Sequence, residues 1–458
     1  MPRLLLRITL PLLLACLTWS LPALAADDQK PGQDLPPKFE PQITENMAAG
    51  KFREALLVAA QYKEAVRACY PDPTYTDGAL ESEADHLRIL PPFPNWTKVN
   101  TAVAKGTDGL TGATQLVALM DPKTNDSLTI ISSDQTMITK MSDAPTAGEN
   151  EKLLTIYAQT MARLFGTPRY SSFANVGELR VLSLELSGQI GNPIEMRLFS
   201  HGDQVYTCIL VCTPSEKAEM KDKLLTMMKS IDFHYKPAQQ ERITAIQAKV
   251  TDPTDVKQQL QAARELILCG EYNAAGTDID KIRLTLAGRI PKPTVVGDAM
   301  RHETYGLTLT NPDPKTWKSF VQRSGGTDMM ILANRAGVDT RAILVGVIDP
   351  IVIYGSRTVQ MVGEKASEEM NKAYLSSSGR GGFMNIGGKI EKEQFRTFKG
   401  MLTYEGTATT NLPNVKVRLL VSLRSNYILF MMLFVDPNNA ERQFKDYETV
   451  LDKALTLK

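Results

Sequence analysis

Two long apolar stretches with the same internal pattern stand out along the chain. Residues 193–214 read PIEMRLFSHGDQVYTCILVCTP, and residues 413–437 read PNVKVRLLVSLRSNYILFMMLFVDP. Each stretch has a short strand pattern, a polar turn and then a β-branched and aromatic run that starts at Tyr206 or Tyr427. This pattern predicts a β-hairpin whose second strand is covered on both faces.

The spacing between the two stretches indicates a tandem duplication. Tyr206 and Tyr427 are 221 positions apart, and so are Arg197 and Arg418. Self-similarity at a fixed period is the signature of repeated structural units. We therefore align the remaining elements of the two halves at about this interval.

The same order of predicted elements recurs in both halves, each of which opens at a tryptophan, Trp96 or Trp317. The aligned elements are strands at 115–122 and 343–350 that end in Asp-Pro, short strands at 128–132 and 351–354, helices at 149–164 and 363–375, Phe-x-Asn-x-Gly turns at 173–177 and 383–387, strands at 179–187 and 394–405, the two hairpins, and closing helices at 215–231 and 438–457. Strands that are adjacent in sequence are joined by turns, which favours antiparallel pairing. The predicted fold class is α+β, with two tandem units at 87–235 and 302–458, each a mostly antiparallel sheet packed between helices. Residues 71–95 are predicted to form a loop rich in proline and aspartate.

A helical hairpin is predicted before each α+β unit. Residues 42–70 show alanine-rich helical periodicity on both sides of Gly50, and residues 238–288 predict a helical linker and a second hairpin that turns at Gly270. Both glycine turns resemble the turn of a tetratricopeptide repeat. One such hairpin cannot bury its apolar face alone. We therefore expect each hairpin to pack on its own sheet or on the other hairpin.

Residues 1–25 predict a signal peptide. Arg3 and Arg7 precede a short apolar core, and Ala23-Leu24-Ala25 is a small-x-small site, so we predict cleavage after Ala25. The sequence therefore predicts an exported protein, periplasmic or secreted, with no transmembrane segment in the mature chain.

Two further expectations concern the same end of the chain. Residues 26–41 are polar and proline-rich and predict a flexible spacer. Leu13-Leu14-Ala15-Cys16 permits an alternative in which Cys16 is lipidated and anchors the protein.

Four cysteines remain after the predicted cleavage, which is too few for a disulfide scaffold in a chain of this length. Cys208 and Cys212 lie on one predicted strand and are interpreted as small buried hydrophobes. Cys69 and Cys269 both belong to helical segments. An oxidising compartment would permit a bridge between these two, which is an alternative to free thiols.

Charge and histidine content exclude several function classes. Lys and Arg total 52 against 51 Asp and Glu, so the chain lacks the basic surplus typical of nucleic-acid-binding proteins. The four histidines are His86, His201, His234 and His302, and none of them forms a metal-ligand pattern. His201 is interpreted as a solvated turn residue. We predict no catalytic residue, no metal site and no cofactor from motifs.

Three other features have both a structural and a functional interpretation. Ser376–Gly382, SSSGRGG, is predicted to be a flexible connector, with anion binding by its backbone as the alternative. Arg197 and Arg418 are predicted to lie on a half-exposed strand face and either to snorkel or to pair with neighbouring carboxylates, with an acidic partner as the alternative. Phe173 and Phe383 are predicted to be core residues.

The order of elements resembles the fold shared by the extrinsic oxygen-evolving subunit of photosystem II and the Ran-binding Mog protein. The resemblance covers about 87–235 and 302–458 and rests on the opening tryptophan, the early strands, the middle helix, the late hairpin and the closing helix. It implies a central antiparallel sheet between helices in a family that mostly docks on other proteins. It implies no functional residue.

These features favour an exported, non-enzymatic protein-binding or scaffold protein of a bacterial-type cell envelope, with an envelope or secreted protein as its partner. The first alternative is a carrier of a small apolar ligand, and the second is a hydrolase or transferase whose site forms only in space. Docking predicts an exposed apolar patch, a carrier predicts an apolar cavity, and an enzyme predicts convergent polar groups with shifted pKa values. The sequence identifies no ligand-binding residue and no oligomeric state.

Overall fold

The computed structural model describes residues 31–99, 113–134, 151, 154, 155, 158, 166–188, 192–201, 204–233, 237–324, 327–334, 341–353, 367–385, 388–410, 415–425 and 427–458. The chain divides into two compact bodies, residues 1–285 and 286–458. The predicted leader, with Cys16 and Ala25, and the first part of the predicted spacer lie outside the described residues.

Two helices, α1 (Leu35–Ala48) and α2 (Phe52–Arg67), open the first body, with Gly50 at a positive φ of 71° between them. The prediction of a flexible spacer is wrong for residues 35–41, which belong to α1. Pro36 and Pro37 lie in the first helical turn, whose N–H groups have no intrahelical partner, whereas Pro41 lies inside the helix. Leu35, Phe39 and Ile43 are buried at intervals of four residues, which is the spacing of one helix face.

The strands of the first body form two antiparallel sheets. In chain order they are β1 (Thr74–Thr76), β2 (Ala79–Ser82), β3 (Leu87–Ile89), β4 (Thr97–Lys98), β5 (Ala113–Met120), β6 (Ser127–Asp134), β7 (Gly166–Val176), β8 (Leu179–Gly188), β9 (Pro193–His201), β10 (Gln204–Val211) and β11 (Asp232–Phe233). Four strands pair in the order β1-β2-β3-β11, and seven pair in the order β4-β5-β6-β10-β9-β8-β7. The closing helix α3 (Lys217–Lys229) lies between β10 and β11 in sequence.

Three more helices follow, α4 (Pro237–Gln247), α5 (Val256–Cys269) and α6 (Tyr272–Arg289). Gly270 ends α5 in the left-handed conformation, as a glycine at this position of a helix commonly does. The two helical hairpins contact each other, because Arg264 Nε of α5 donates to Glu40 Oε2 of α1 at 3.0 Å and Lys63 of α2 pairs with Asp280 of α6.

The second body repeats the order of the first. Its elements are β12 (Thr294–Val296), β13 (Ala299–His302), β14 (Leu307–Thr310), β15 (Trp317–Ser324), β16 (Thr327–Asn334), β17 (Ala342–Ile348), α7 (Pro350–Ile353), α8 (Glu368–Asn385), β18 (Lys389–Phe398), β19 (Met401–Thr409), β20 (Lys416–Arg424), β21 (Tyr427–Val435), α9 (Ala440–Ala454) and β22 (Leu455–Leu457). The sheets run β12-β13-β14-β22 and β15-β16-β17-β21-β20-β19-β18. The predicted fold class, tandem α+β units preceded by helical hairpins, is confirmed.

Both faces of the seven-stranded sheets are buried, which explains the nearly continuous apolar strands. On β10, Tyr206, Cys208 and Leu210 pack in the core that includes α3, whereas Val205 and Ile209 pack in the opposite core. Cys208 and Cys212 are buried, as predicted. Among the described residues, no helix combines the length and the apolarity needed to cross a membrane.

Several local predictions are wrong. Residues 71–95 contain β1, β2 and β3 rather than a loop, and β12 likewise precedes the predicted start of the second unit. Residues 351–353 are helical in α7, and Ser376–Gly382 lies inside α8. Strands of three or four residues among prolines and turn residues carry too little periodicity to be recognised.

The alignment of the two halves needs two corrections. Sheet order makes β16 the counterpart of β5 and β17 the counterpart of β6, so the two Asp-Pro pairs are not equivalent. The late hairpins close at the pairs His201–Gln204 and Arg424–Tyr427, which are 223 positions apart. Tyr206 is thus the third residue of β10, whereas Tyr427 is the first residue of β21. An offset of two residues keeps both side chains on the same face.

The two Phe-x-Asn-x-Gly segments are not equivalent either. Phe173 belongs to β7, which turns at Gly177 with a φ of 59°. Phe383 belongs to the last turn of α8, and residues 386–387 lie outside the described part of the chain. The same sequence pattern therefore begins in a strand in the first body and in a helix in the second body.

Candidate functional site

Arg67, in the last turn of α2, extends from the first helical hairpin to the sheet of the first body. Its Nη1 donates to Gln204 Oε1 at 3.4 Å, and its Nη2 donates to Ser132 Oγ at 3.2 Å. The same Nη2 lies 3.7 Å from Asp85 Oδ1. One guanidinium thus links α2, β6, β10 and the 3-10 turn that contains Asp85.

The Asp85 carboxylate is buried and well hydrogen-bonded. Its Oδ2 accepts from Ser82 Oγ at 2.5 Å, and its Oδ1 accepts from Ser132 Oγ at 3.0 Å and from Tyr206 OH at 3.4 Å. A buried carboxylate is tolerated only when such donors and a cation compensate its lost hydration. Asp85 therefore organises this network and is itself saturated by it.

A cavity of about 290 Å³ lies beside this network, entirely within the first body. The residues that line it come from α2, the 3-10 turn, β9, β10 and α6: Lys63, Arg67, Asp85, His201, Gln204, Tyr206, Tyr272, Asn273, Gly276 and Thr277. Most of these side chains carry polar groups, but more of the lining surface is apolar than polar, so the cavity suits a ligand with both polar and apolar parts.

His201 lines this cavity and also a second cavity of about 650 Å³. It is the last residue of β9, and its ring stacks on Phe233 with 3.7 Å between the ring centroids. Burial lowers the pKa of His201 below its usual value. His201 is exposed, as predicted, but it belongs to a strand rather than to the turn, and its ring is fixed by stacking. The second cavity is also lined by an ion pair in which Arg180 Nε lies 2.7 Å from Glu151 Oε1.

The corresponding place in the second body is packed with rings. Tyr305 is the third residue of the 3-10 turn Glu303–Tyr305, as Asp85 is of Glu83–Asp85. Its ring centroid lies 4.9 Å from that of Tyr427 and 4.6 Å from that of His302. Tyr305 OH donates to Asp349 Oδ2 at 2.9 Å, and Tyr427 OH donates to the Tyr305 carbonyl oxygen at 2.9 Å.

The second body also contains a buried ionic network, which is centred on Asp328. Arg323 Nε donates to Asp328 Oδ1 at 2.6 Å, and His302 Nε2 lies 2.8 Å from Asp328 Oδ2. Burial by itself would raise the pKa of Asp328, but the bonds from Arg323 and His302 outweigh it and lower that pKa below its usual value. His302 and Asp328 are both buried, so this network contributes to the core.

The two arginines singled out by the repeat pair with carboxylates, which is one of the two outcomes predicted for them, and Arg197 is buried rather than half-exposed. Arg197 Nη1 lies 3.0 Å from Glu195 Oε2. Arg418 Nη1 lies 2.7 Å from Glu448 Oε1, and Arg418 Nε lies 3.4 Å from Glu405 Oε1. The positive charges of both arginines are thus paired with carboxylates within the fold.

Cys69 and Cys269 are free, so the bridge considered as an alternative is absent from this structure. Burial, with a smaller effect of Asp34, raises the pKa of the Cys69 thiol to about 11. Cys69 is therefore protonated and unreactive near neutral pH. The part of the chain that the structure describes contains no group of three or more His, Cys, Asp or Glu side chains that could hold a metal ion.

No protein-family model matches the chain, and no curated protein matches it. A solution structure of cyanobacterial PsbP (CyanoP) from Synechocystis sp. PCC 6803 matches 35% of this chain and 95% of that chain, at 12% identity and a TM-score of 0.27. A crystal structure of a protein from Bacteroides thetaiotaomicron VPI-5482 at 1.50 Å resolution matches 68% of this chain and 99% of that chain, at 10% identity and a TM-score of 0.22. A PsbP-like chain is thus among the matches, but TM-scores this low carry no argument about function.

Proposed function

We propose that this chain is an exported, non-enzymatic binding protein of the cell envelope and that the cavity beside Arg67 is its binding site. The observation that carries the proposal is the difference between the two bodies. The first body has Asp85 and a polar cavity at the place where the second body packs the ring of Tyr305. Export rests on the predicted leader at residues 1–25.

The state of the charged groups favours binding over catalysis. Asp85 accepts three hydrogen bonds, and Lys63 is paired with Asp280. Groups held in this way stabilise a site, whereas an acid or base catalyst must exchange a proton with a substrate. The polar groups of the lining also favour a ligand with hydrogen-bonding groups over the purely apolar one considered as an alternative.

The test is native mass spectrometry of the mature protein isolated gently from its own envelope or secreted fraction, with a variant that fills the cavity. Gly276 lines the cavity from α6, and a Cβ at this position would have Lys63 Cε as its nearest heavy atom, at 4.0 Å. Gly276→Leu therefore adds bulk without a backbone clash. Gly288→Leu is the matched control, because Gly288 lies in the same helix with nothing within 4 Å of its added Cβ.

In the native mass spectra, we expect the wild-type protein and Gly288→Leu to carry the added mass of a bound small molecule. Gly276→Leu should lack this added mass. Both substitutions replace a helical glycine by a better helix former, so a change in helix stability would affect both variants alike. The proposal would be contradicted if every sample had only the mass of the chain itself. It would also be contradicted if Gly276→Leu carried the same added mass as the wild type.

Docking of a protein partner is the second candidate. The edge strand β12 supports it, because Val295 and Val296 are 47% and 54% exposed. An edge strand has unpaired backbone groups to which an extended segment of another protein can add. We propose that the segment is an apolar strand of an envelope protein.

A further inference from the structure

One buried carboxylate beside the cavity at Arg67 holds two cations. Asp280 of α6 is fully buried, and its Oδ2 accepts from Lys63 Nζ of the cavity lining. Its Oδ1 accepts from Arg283 Nη1 at 2.7 Å, and the Arg283 side chain is only 4% exposed. A single carboxylate neutralises only one of these two positive charges.

The other ionic groups around the cavity leave this surplus in place. Arg67 Nη2 lies 3.7 Å from Asp85 Oδ1, so these two charges offset each other. Glu271, which precedes α6, is likewise offset by Arg242, with 3.6 Å between Glu271 Oε1 and Arg242 Nη2. His201 adds no charge near neutral pH, because burial of its ring lowers its pKa. Among the described residues, the ionic groups at the cavity therefore carry one more positive than negative charge.

The surroundings of Arg283 show that the surplus is not compensated. Its Nε and Nη2 are buried and have no hydrogen-bond acceptor within the part of the chain that the structure describes. A buried charge that is incompletely compensated is costly, and its field is screened less than that of a surface charge. A ligand with one negative charge would lower this cost, whereas a neutral ligand would not and a cation would raise it.

The groups that face a ligand include suitable donors. Lys63 and Arg67 are four residues apart on α2, so both lie on the helix face towards the cavity. Arg67 donates to Gln204 and Ser132 over 3.4 and 3.2 Å, and its side chain is 21% exposed. Its planar guanidinium has five N–H groups, so further donors remain for a planar carboxylate, whose geometry it matches.

The rest of the lining suits an apolar ring. More of the lining surface is apolar than polar. Tyr272 is held edge-on against Tyr70, with 5.1 Å between the ring centroids, and His201 is held by its stacking on Phe233. Fixed rings favour offset or edge-on contact with another flat ring. The cavity volume of about 290 Å³ equals that of roughly ten water molecules at about 30 Å³ each, so the ligand is small.

We propose that the cavity beside Arg67 binds a small aromatic monocarboxylate, with the carboxylate at Lys63 and Arg67 and the ring against Tyr272 and His201. This inference rests on the proposed binding function and specifies its ligand class. A phosphate monoester fits less well, because it carries up to two negative charges at neutral pH against a surplus of one. Binding needs no covalent step.

The test is isothermal titration calorimetry of the mature protein with benzoate, benzamide, benzylamine and phenyl phosphate as probes. Benzamide has the shape of benzoate without its charge, and benzylamine has the opposite charge. We expect benzoate to bind at least about tenfold more tightly than benzamide, as the loss of a charged hydrogen bond implies. Phenyl phosphate should bind more weakly than benzoate, and benzylamine should give no heat of binding. Gly276→Leu should abolish benzoate binding, and Gly288→Leu should leave it unchanged.

Two charge variants separate the direct contact from the surplus behind it. Arg67→Gln removes a cation that lines the cavity, whereas Arg283→Gln removes the surplus charge next to Asp280. Each should reduce the preference for benzoate over benzamide several-fold. Arg442→Gln is the matched control, because Arg442 is 88% exposed on α9 of the second body, and it should keep the full preference. Urea denaturation shows whether each variant is folded, and the four probes on the wild type test the inference without any variant.

Several outcomes would overturn the inference. Benzamide or benzylamine binding as tightly as benzoate would show that the cavity does not select an anion, and tighter binding of phenyl phosphate would replace the carboxylate by a phosphate. An unchanged preference in folded Arg67→Gln and Arg283→Gln would also contradict it, as would the absence of benzoate binding. If the native protein still carries a small-molecule mass that Gly276→Leu removes, the binding function stands and only the ligand class fails. If no such mass is present, the proposed function fails as well.

Discussion

Arg67 shows why the candidate site was invisible in the sequence. A lone arginine in the last turn of a helix usually stabilises the helix dipole, so it carries no functional signal. Its partners Asp85, Ser132 and Gln204 are 18, 65 and 137 positions away along the chain. They converge only through the pairing of β6 with β10 and the packing of α2. By contrast, the pairing of Arg197 and Arg418 with carboxylates could be predicted, since strand arginines commonly do so.

Asp328 gives a prediction at the scale of one residue. Its lowered pKa means that the ionised form stabilises the fold at pH values above the unfolded value of 3.8, and this contribution is lost as the pH falls through the folded pKa. We expect Asp328→Asn to lower the free energy of unfolding by about 3 kcal/mol at neutral pH, as breaking a buried ion pair does.

The measurement is urea denaturation of the wild type and Asp328→Asn from about pH 7 down to about pH 3. The difference in the free energy of unfolding between the two proteins should shrink as Asp328 becomes protonated in the wild type. A difference that stays constant over this range would contradict the conclusion that the ionised Asp328 stabilises the fold. Asp222→Asn is a control, because the Asp222 carboxylate is exposed on α3.

At the scale of elements, the sequence predicted the order and the hairpins but not the exact registers. Long strands such as β10 and β21 are visible because both faces are buried over eight or nine residues. The 221-residue interval misaligned the halves, because the paired strand ends of the two late hairpins are 223 positions apart. Insertions in loops change sequence spacing without changing the order of strands.

Helix α8 illustrates a different failure. Its segment Ser376–Gly382 has the composition of a loop, yet a glycine there permits close packing of the helix on the sheet. A Cβ at Gly379 would lie 2.2 Å from Tyr404 Cε1, so the tyrosine ring occupies the space of a side chain. Glycine is used here because nothing larger fits between helix and sheet.

We therefore predict that Gly379→Ala destabilises the second body by about 1–3 kcal/mol through overpacking. Helix propensity alone would give the opposite sign, a gain of about 1 kcal/mol. Chemical denaturation of the two proteins measures the difference. Gly288→Ala is the control, because it gains propensity without a clash and should stabilise. Stabilisation by both substitutions would contradict the packing of Tyr404 on Gly379.

At the scale of the whole molecule, the proposal of a protein partner depends on the edge strand β12. A lysine on an edge strand disfavours the addition of another strand. If a partner docks there, Val296→Lys should remove a protein mass of tens of kilodaltons from the native mass spectrum while the small-molecule mass is retained. If the protein mass of the partner is still present in the native mass spectrum of Val296→Lys, the docking surface is not β12.

The exchange of Asp85 for Tyr305 also bears on how a duplicated chain folds without mixing its copies. In the first body, the 3-10 turn supplies the carboxylate and the strand residue Ser132 supplies the hydroxyl. In the second body, the turn supplies the hydroxyl of Tyr305, and the carboxylate of Asp349 follows the strand. If the turn with Asp85 docked on the sheet of the second body, it would meet Val347 at the position that Ser132 occupies in its own sheet, because the late hairpins are 223 positions apart. Misassembly between repeats is a common failure of such chains, and here it would leave the buried Asp85 carboxylate without one of its hydrogen-bond donors.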